Sequence, residues 1–329
     1  MTGRLPNWII AGAPKSSTTS LFKWLVDHPE VGGSSEKETC YFLDPGAHMF
    51  RADSNFRDQG IKGYSKLFEH CEPSAAVIVE STPAYLYSQA ALRELPGLPT
   101  KPSFIFVLRE PVSQLRSLFV YFQQNWNWIP RTMTFREFIS AVAERRSDFA
   151  GNELAANALD NAWYSRHLLR WQQAVGADRM LILLFEDLVT DSRRAMRQLA
   201  VRLGIDPSFY DTYAFEPENT SYVARSAMLQ DLNIRIREYL PKGRLYEMAR
   251  SLYRAANTRR PNGDHSDPDL DRDLAEHYSP MLVELEQEFS LNLGKWRAAT
   301  RAAPSAAKHD KSAPHGLPFA LSTSSGRGR

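Results

Sequence analysis

The 329-residue chain is 43% hydrophobic and 24% charged, which suits one large globular domain or two subdomains sharing a core. Its formal net charge of +2 offers no global attraction for nucleic acid or a membrane surface. Two cysteines, Cys40 and Cys71, exclude a disulfide framework and fit a reducing compartment; the opening MTGRLPNW has no apolar signal-peptide core, and no uncharged apolar run reaches the roughly 18 residues of a membrane span.

In chain order, WIIAGA (8–13) reads as a buried strand. Residues 18–28 follow as a helix whose apolar side carries Leu21, Phe22, Trp24 and Leu25. AAVIVE (75–80), PSFIFVLRE (102–110) and MLILLFEDL (180–188) read as three further strands. These runs are nearly continuous in Val, Ile, Leu and Phe, as expected for parallel strands covered on both faces. Helical patterns lie at 111–124, 134–146, 157–174 and 191–203. The alternation predicts an α/β fold: a P-loop-like three-layer arrangement with a central, mostly parallel sheet flanked by helices. Residues 225–260 form a helical basic segment, with nine Arg or Lys against Asp231, Glu238 and Glu247; it is either a solvated face or a cover over an anionic ligand. A last amphipathic helix is expected over 269–296, with Leu274, Tyr278, Leu282, Leu285 and Phe289 on one side. The tail 300–329 lacks periodicity and is expected to be disordered, leaving 1–299 as the folded domain.

Three polar clusters follow strands directly, and in such sheets ligands bind outside the carboxyl ends of the strands. The first, PKSSTTS, places Lys15 and the hydroxyls of Ser16, Ser17, Thr18, Thr19 and Ser20 between a strand and a helix. Free N–H groups and the helix dipole make such a turn an anion site. The ordinary phosphate-loop spacing of Gly, four residues, Gly-Lys-Ser/Thr is absent. In the second cluster, REPVSQLRS, Pro111 suits a first helical position. Arg109 at the strand end and Ser117 eight residues later can grip a second anionic group. Both clusters also admit blander readings: helix capping with an incidental lysine, and a surface arginine near a solvated serine.

Taken in this order, the two clusters resemble the sulfotransferases that use 3'-phosphoadenosine 5'-phosphosulfate (PAPS). The first is similar to the family's 5'-phosphosulfate loop, the second to its 3'-phosphate motif. EKETCYFLD (36–44), VESTPAYLY (79–87), RMLILLFEDLVTD (179–191) and NTSYVARS (219–226) resemble stretches of the branch that contains the heparan sulfate sulfotransferases and bacterial relatives. The resemblance covers about residues 7–297. It implies transfer of a sulfuryl group from PAPS to a hydroxyl or amine of a carbohydrate or small molecule, leaving 3'-phosphoadenosine 5'-phosphate (PAP) and needing no metal. It further implies that Lys15 to Ser20 hold the 5' end of the nucleotide, Arg109 and Ser117 hold the 3'-phosphate, and Lys15 stabilises the leaving group.

Glu38 matches the branch's general base, and burial near Tyr41 and Phe42 is expected to raise its proton affinity. His167 is a weaker candidate, Glu80 and Asp187 are expected to cap or orient loops, and Arg259 or Arg260 can reach the nucleotide from the basic segment. Three departures stand out. Ser17 replaces a frequent Gly, Cys40 a frequent His, and Ser81 a frequent Lys. The last two lie where the branch surrounds its acceptor and put a glycosaminoglycan acceptor in question. YFQQNWNWIP (121–130) is an acceptor-facing candidate or a loop tucked over the core. A phosphate-loop kinase and a non-catalytic nucleotide-binding relative are the alternatives. No nucleic-acid partner is expected, and with the first strand beginning at Trp8 a cytoplasmic location is expected.

Overall fold

A computed structural model describes residues 3–216 and 267–301, with the backbone of two short strands, Val223–Ala224 and Thr258–Arg259. Five strands build the main sheet: β1 (Trp8–Gly12), β2 (Val31–Gly33), β3 (Val77–Ser81), β4 (Ser103–Leu108) and β5 (Met180–Leu184). Every pairing is parallel and the order is β2-β3-β1-β4-β5. Alternate residues of each inner strand feed two separate cores. Ile9, Ile78, Phe104 and Phe106 enter one; Ile10, Val77, Val79, Ile105 and Val107 enter the other. That double burial explains the unbroken apolar runs and confirms the expected three-layer α/β architecture.

Helix α1 (Thr18–Val26) returns the chain from β1 on one face of the sheet, through Leu21 and Leu25. Helices α2 (Phe56–Lys66) and α3 (Gln89–Glu94) precede β3 and β4 respectively. Helix α4 (Pro111–Tyr121) follows β4 and packs on the opposite face, through Leu115 and Leu118. The chain therefore leaves β1 for β3 on one side and comes back as β4 on the other. The strand order reverses between β1 and β4, and a crevice opens outside their carboxyl ends.

Several boundaries differ from the sequence reading. β5 ends at Leu184, and Phe185–Thr190 is helical, with Glu186 and Asp187 in its first turn where acidic side chains favour a helix start. The expected helix 157–174 is two, Ala158–Asn161 and Tyr164–Val175. The helix begun at Pro111 passes into a π turn at Phe122–Trp126. The closing helix is Pro268–Phe289; Ser290, at φ 54°, ends it, and Gly294–Arg301 follows as another. Leu274, Tyr278, Leu282 and Leu285 are buried as expected. The basic segment 225–260 lies outside the described residues apart from the backbone of Thr258–Arg259, which pairs antiparallel with Val223–Ala224. Residues 302–329 lie outside them as well. No helix among the described residues is long and apolar enough to cross a membrane.

Candidate active site

The turn from β1 to α1 is tight for a visible reason. A Cβ on Gly12 would stand 2.8 Å from the Leu86 Cβ, so the backbone passes where only glycine fits. Lys15 (φ 67°) and Ser17 (φ 61°, ψ 23°) are both left-handed. Ser17 is the N-cap of α1, yet its side chain makes no capping bond. The first N–H groups of the helix are thus left without a side-chain cap from Ser17. Ser16 is fully buried, and its hydroxyl has no partner among the described residues. Thr18 and Ser20 are also buried, on the first turn of α1.

Lys15 Nζ lies over the Tyr121 ring, 3.8 Å from its centroid. Burial, and after it the Arg109 charge, depress the Lys15 pKa from 10.5 to about 8; Glu38 opposes that shift and Lys37 adds to it. Arg109 follows directly after β4. Its Nη1 donates to the Lys15 carbonyl at 3.2 Å, its guanidinium stacks 4.4 Å from the Phe185 ring centroid, and its Nε is buried without a partner among the described residues. Burial lowers its pKa too. Two cations predicted from motifs 94 residues apart are therefore neighbours at the strand-order reversal, each partly desolvated. Ser117 sits on the half-buried flank of α4, while the Arg109 side chain turns toward the loop.

The opposite wall rises from the end of β3. Glu38 lies in the segment after β2, bonded to Lys37 Nζ at 2.5 Å, with its side chain 38% exposed. The expected burial of Glu38 is not found. Tyr41 and Phe42 instead turn into the core, against Phe56, Tyr64 and Tyr85. The buried carboxylate is Glu80. It is fully enclosed, and burial raises its pKa from 4.5 to about 7 against hydrogen bonds from Thr82 and Thr39. The Thr82 and Thr39 hydroxyls donate to its Oε1 at 2.6 and 3.0 Å. Ser81, where a Lys is frequent, is fully buried, and its hydroxyl has no partner among the described residues. Cys40 is buried at φ 55°, and desolvation, then Glu38 and Glu80, push its thiol pKa well up.

Other expected residues fall outside this crevice. His167 Nε2 meets the Asp160 carbonyl at 3.3 Å, and burial lowers its pKa, a structural histidine. Asp187 pairs with Lys295 at 2.7 Å. The stretch 121–130 is partly core and partly surface. Phe122 is buried, Trp126 stacks on Trp128 with centroids 5.0 Å apart, and Gln123 bonds the Pro130 and Met133 carbonyls. The Arg259 side chain and Arg260 lie outside the described residues.

The sequence reading missed Gln114, whose Nε2 holds the Pro14 carbonyl at 3.2 Å. It is a polar residue on the buried face of α4, beside Leu115 and Leu118, and that position was the available signal. It also missed Glu186, which accepts from the Glu110 N–H at 2.9 Å and from Trp296 Nε1 at 2.7 Å. Glu110 in turn caps α4 through the N–H groups of Val112 and Ser113.

A sulfotransferase family profile matches residues 6–209, a span that contains the whole crevice. The chain belongs to the sulfotransferase family. Among curated relatives, this sulfotransferase is 26% identical over 223 residues to the human bifunctional heparan sulfate N-deacetylase/N-sulfotransferase 1, covering 65% of its own chain and 24% of the relative. To the human enzyme 2 of the same name it is 26% identical over 210 residues, covering 62% and 22%. It thus spans about a quarter of the length of the curated relatives it matches. A crystal structure of a sulfotransferase from Alicyclobacillus acidocaldarius superposes with a TM-score of 0.63 at 18% identity, over 89% of this chain and 99% of that one, which establishes the shared fold.

Proposed function

We propose that this sulfotransferase moves the sulfuryl group of PAPS to a hydroxyl or amine of a carbohydrate or small molecule. The observation that carries the reading is the convergence of Lys15 and Arg109 at the strand-order reversal, beside buried polar atoms that lack partners among the described residues: Ser16 Oγ and Arg109 Nε. Unpaired buried donors cost free energy unless a ligand completes them, and this set suits an anion. The heparan sulfate named for the curated relatives supports a carbohydrate acceptor. In this reading the folded domain runs through the helix Gly294–Arg301, two residues past the expected bound at 299, with the basic segment 225–260 as a cover over the nucleotide.

The residues fit a nucleotide carrying anionic groups at both ends. Lys15, Ser16, Ser17, Thr18, Thr19 and Ser20 would hold the 5' end, with the first N–H groups of α1. Arg109 and Ser117 would hold the 3'-phosphate, and Arg259 would approach from the basic segment. The co-substrate supplies an activated sulfuryl group and a bisphosphate that leaves. In-line displacement needs positioning and charge stabilisation more than covalent help from the protein. Lys15, protonated at neutral pH with a pKa of about 8, offers its charge to the departing phosphate. Glu38, within electrostatic reach of Lys15 and open enough for an acceptor to approach, takes the acceptor's proton. Two free, buried cysteines fit a cytoplasmic location.

Calorimetry tests the reading. PAP is expected to bind without magnesium and more tightly than ATP. Lys15→Ala and Arg109→Ala are each expected to weaken binding about 30- to 100-fold, as for truncating one partner of a buried charge contact. Preferential binding of magnesium-ATP would overturn it in favour of a kinase.

A further inference from the structure

The proposed chemistry leaves Glu80 idle, and its placement is unusual. A carboxylate at the end of a central parallel strand is fully buried, with no cation bonded to it among the described residues. Its Oε1 accepts two hydroxyl hydrogen bonds while its Oε2 accepts none there. Such a group is costly to enclose in a core, and a hydrophobic residue would pack at lower cost.

Its hydrogen bonds show what it does locally. Thr39, one of its two donors, is the residue next to Glu38. The Thr39 hydroxyl also accepts from the Tyr41 N–H at 3.3 Å and meets the Tyr85 hydroxyl at 3.1 Å. Thr82, the other donor, accepts from the Cys40 N–H at 3.2 Å. The Tyr85 hydroxyl accepts from the Phe42 N–H at 3.3 Å. Three consecutive backbone N–H groups after Glu38 and Thr39 are thus tied to side chains that converge on Glu80. The segment carrying Glu38 has no strand pairing of its own beyond Gly33, and this network takes the place of one.

We propose that Glu80 is a positioning residue for Glu38: from the end of β3 it grips Thr39 and fixes the segment that presents Glu38 and Lys37 to the crevice. The inference rests on the sulfotransferase reading only for what Glu38 does, not for the tie itself. The tie responds to protonation. Ionised, Glu80 accepts both hydroxyls and places negative charge near Glu38 and Lys37; protonated near pH 7 and below, it loses that charge and gains a donor on the carboxyl. The groups facing it are Lys37, Glu38 and Cys40 from the segment, Tyr85 from the turn after β3, and Tyr64 from α2. The three with thiol or phenol side chains have pKa values raised by burial, so none of them titrates beside it near neutrality.

The test needs no acceptor. In protein labelled with 13C at glutamate carboxyls, the Glu38 signal is assigned by its loss in Glu38→Gln. In the otherwise native chain that signal is expected to show an inflection near pH 7 that follows the Glu80 signal. The inflection is expected to vanish in Glu80→Gln and to shrink at least twofold in Thr39→Val. Thr39→Ser, which keeps the hydroxyl, is expected to restore it. A Glu38 signal with no feature at the pH where the Glu80 signal titrates, or one unchanged by Glu80→Gln, overturns the proposal. So does an inflection that survives in full in Thr39→Val. PAP calorimetry on the same samples separates the two readings: native protein that binds no PAP defeats the sulfotransferase proposal, while the carboxyl titration still decides the role of Glu80.

Discussion

The two walls of the crevice solve opposite problems with similar residues. On the β1–α1 wall, Ser16 Oγ and Arg109 Nε have no protein partner among the described residues, and Ser17 caps nothing with its side chain. On the β3 wall, Thr39, Thr82, Tyr85 and Glu80 bond one another, so that these three hydroxyls serve the protein itself, while Ser81 Oγ and Glu80 Oε2 have no partner among the described residues. The difference follows from what each wall must do. Donors meant for an anion have to be kept from finding each other, and the loop that carries them runs through left-handed backbone at Lys15 and Ser17. A wall meant to hold a carboxylate at one place gains from a network in which every bond fixes its neighbour.

That contrast can be broken most sharply at Glu38. Glu38→Gln is expected to slow PAP release from PAPS in the presence of an acceptor about 100- to 10,000-fold, the range for losing a general base, with PAP affinity within twofold of native. A parallel loss of affinity would mean that the two walls are not separate. The next effect sharpens the nucleotide wall. The pKa of Lys15 is already lowered to about 8 without ligand, and a bound anion restores its proton affinity. PAP binding at pH 8.5 is therefore expected to take up a substantial fraction of a proton, read from calorimetry in buffers of different ionisation enthalpy. Affinity is expected to fall as pH rises through 8, and Lys15→Ala should abolish the uptake. The smallest effect concerns the backbone. Ser17 holds φ 61° without a capping bond, so Ser17→Gly is expected to raise stability by about 1 kcal/mol or less in a denaturant titration, while PAP binding changes little.

Much of this was legible in the sequence, for reasons the structure makes plain. The four apolar runs are long because both faces of β1, β3 and β4 are covered, and that signal survives without any partner being known. Lys15 and Arg109 could be placed because each follows a strand directly, and parallel strands end on one side of a sheet. β2 was not legible, since Val31–Gly33 carries one apolar side chain and two glycines. The burial of Glu38 was misjudged because neighbouring aromatics in sequence turn away from it into the core, while the enclosed carboxylate comes from β3. For a long-range tether such as Gln114 to Pro14 the sequence signals only a polar residue on an apolar helix face, and its partner leaves no local pattern.

The chain of contacts from Trp296 through Glu186 to the Glu110 N–H, the residue beside Arg109, makes the helix Gly294–Arg301 a brace for the nucleotide wall. Coupling of this kind is reciprocal. A ligand that clamps Arg109 should also shelter the last helix from a protease, and a chain trimmed before Trp296 should lose grip on its nucleotide with every crevice residue still present.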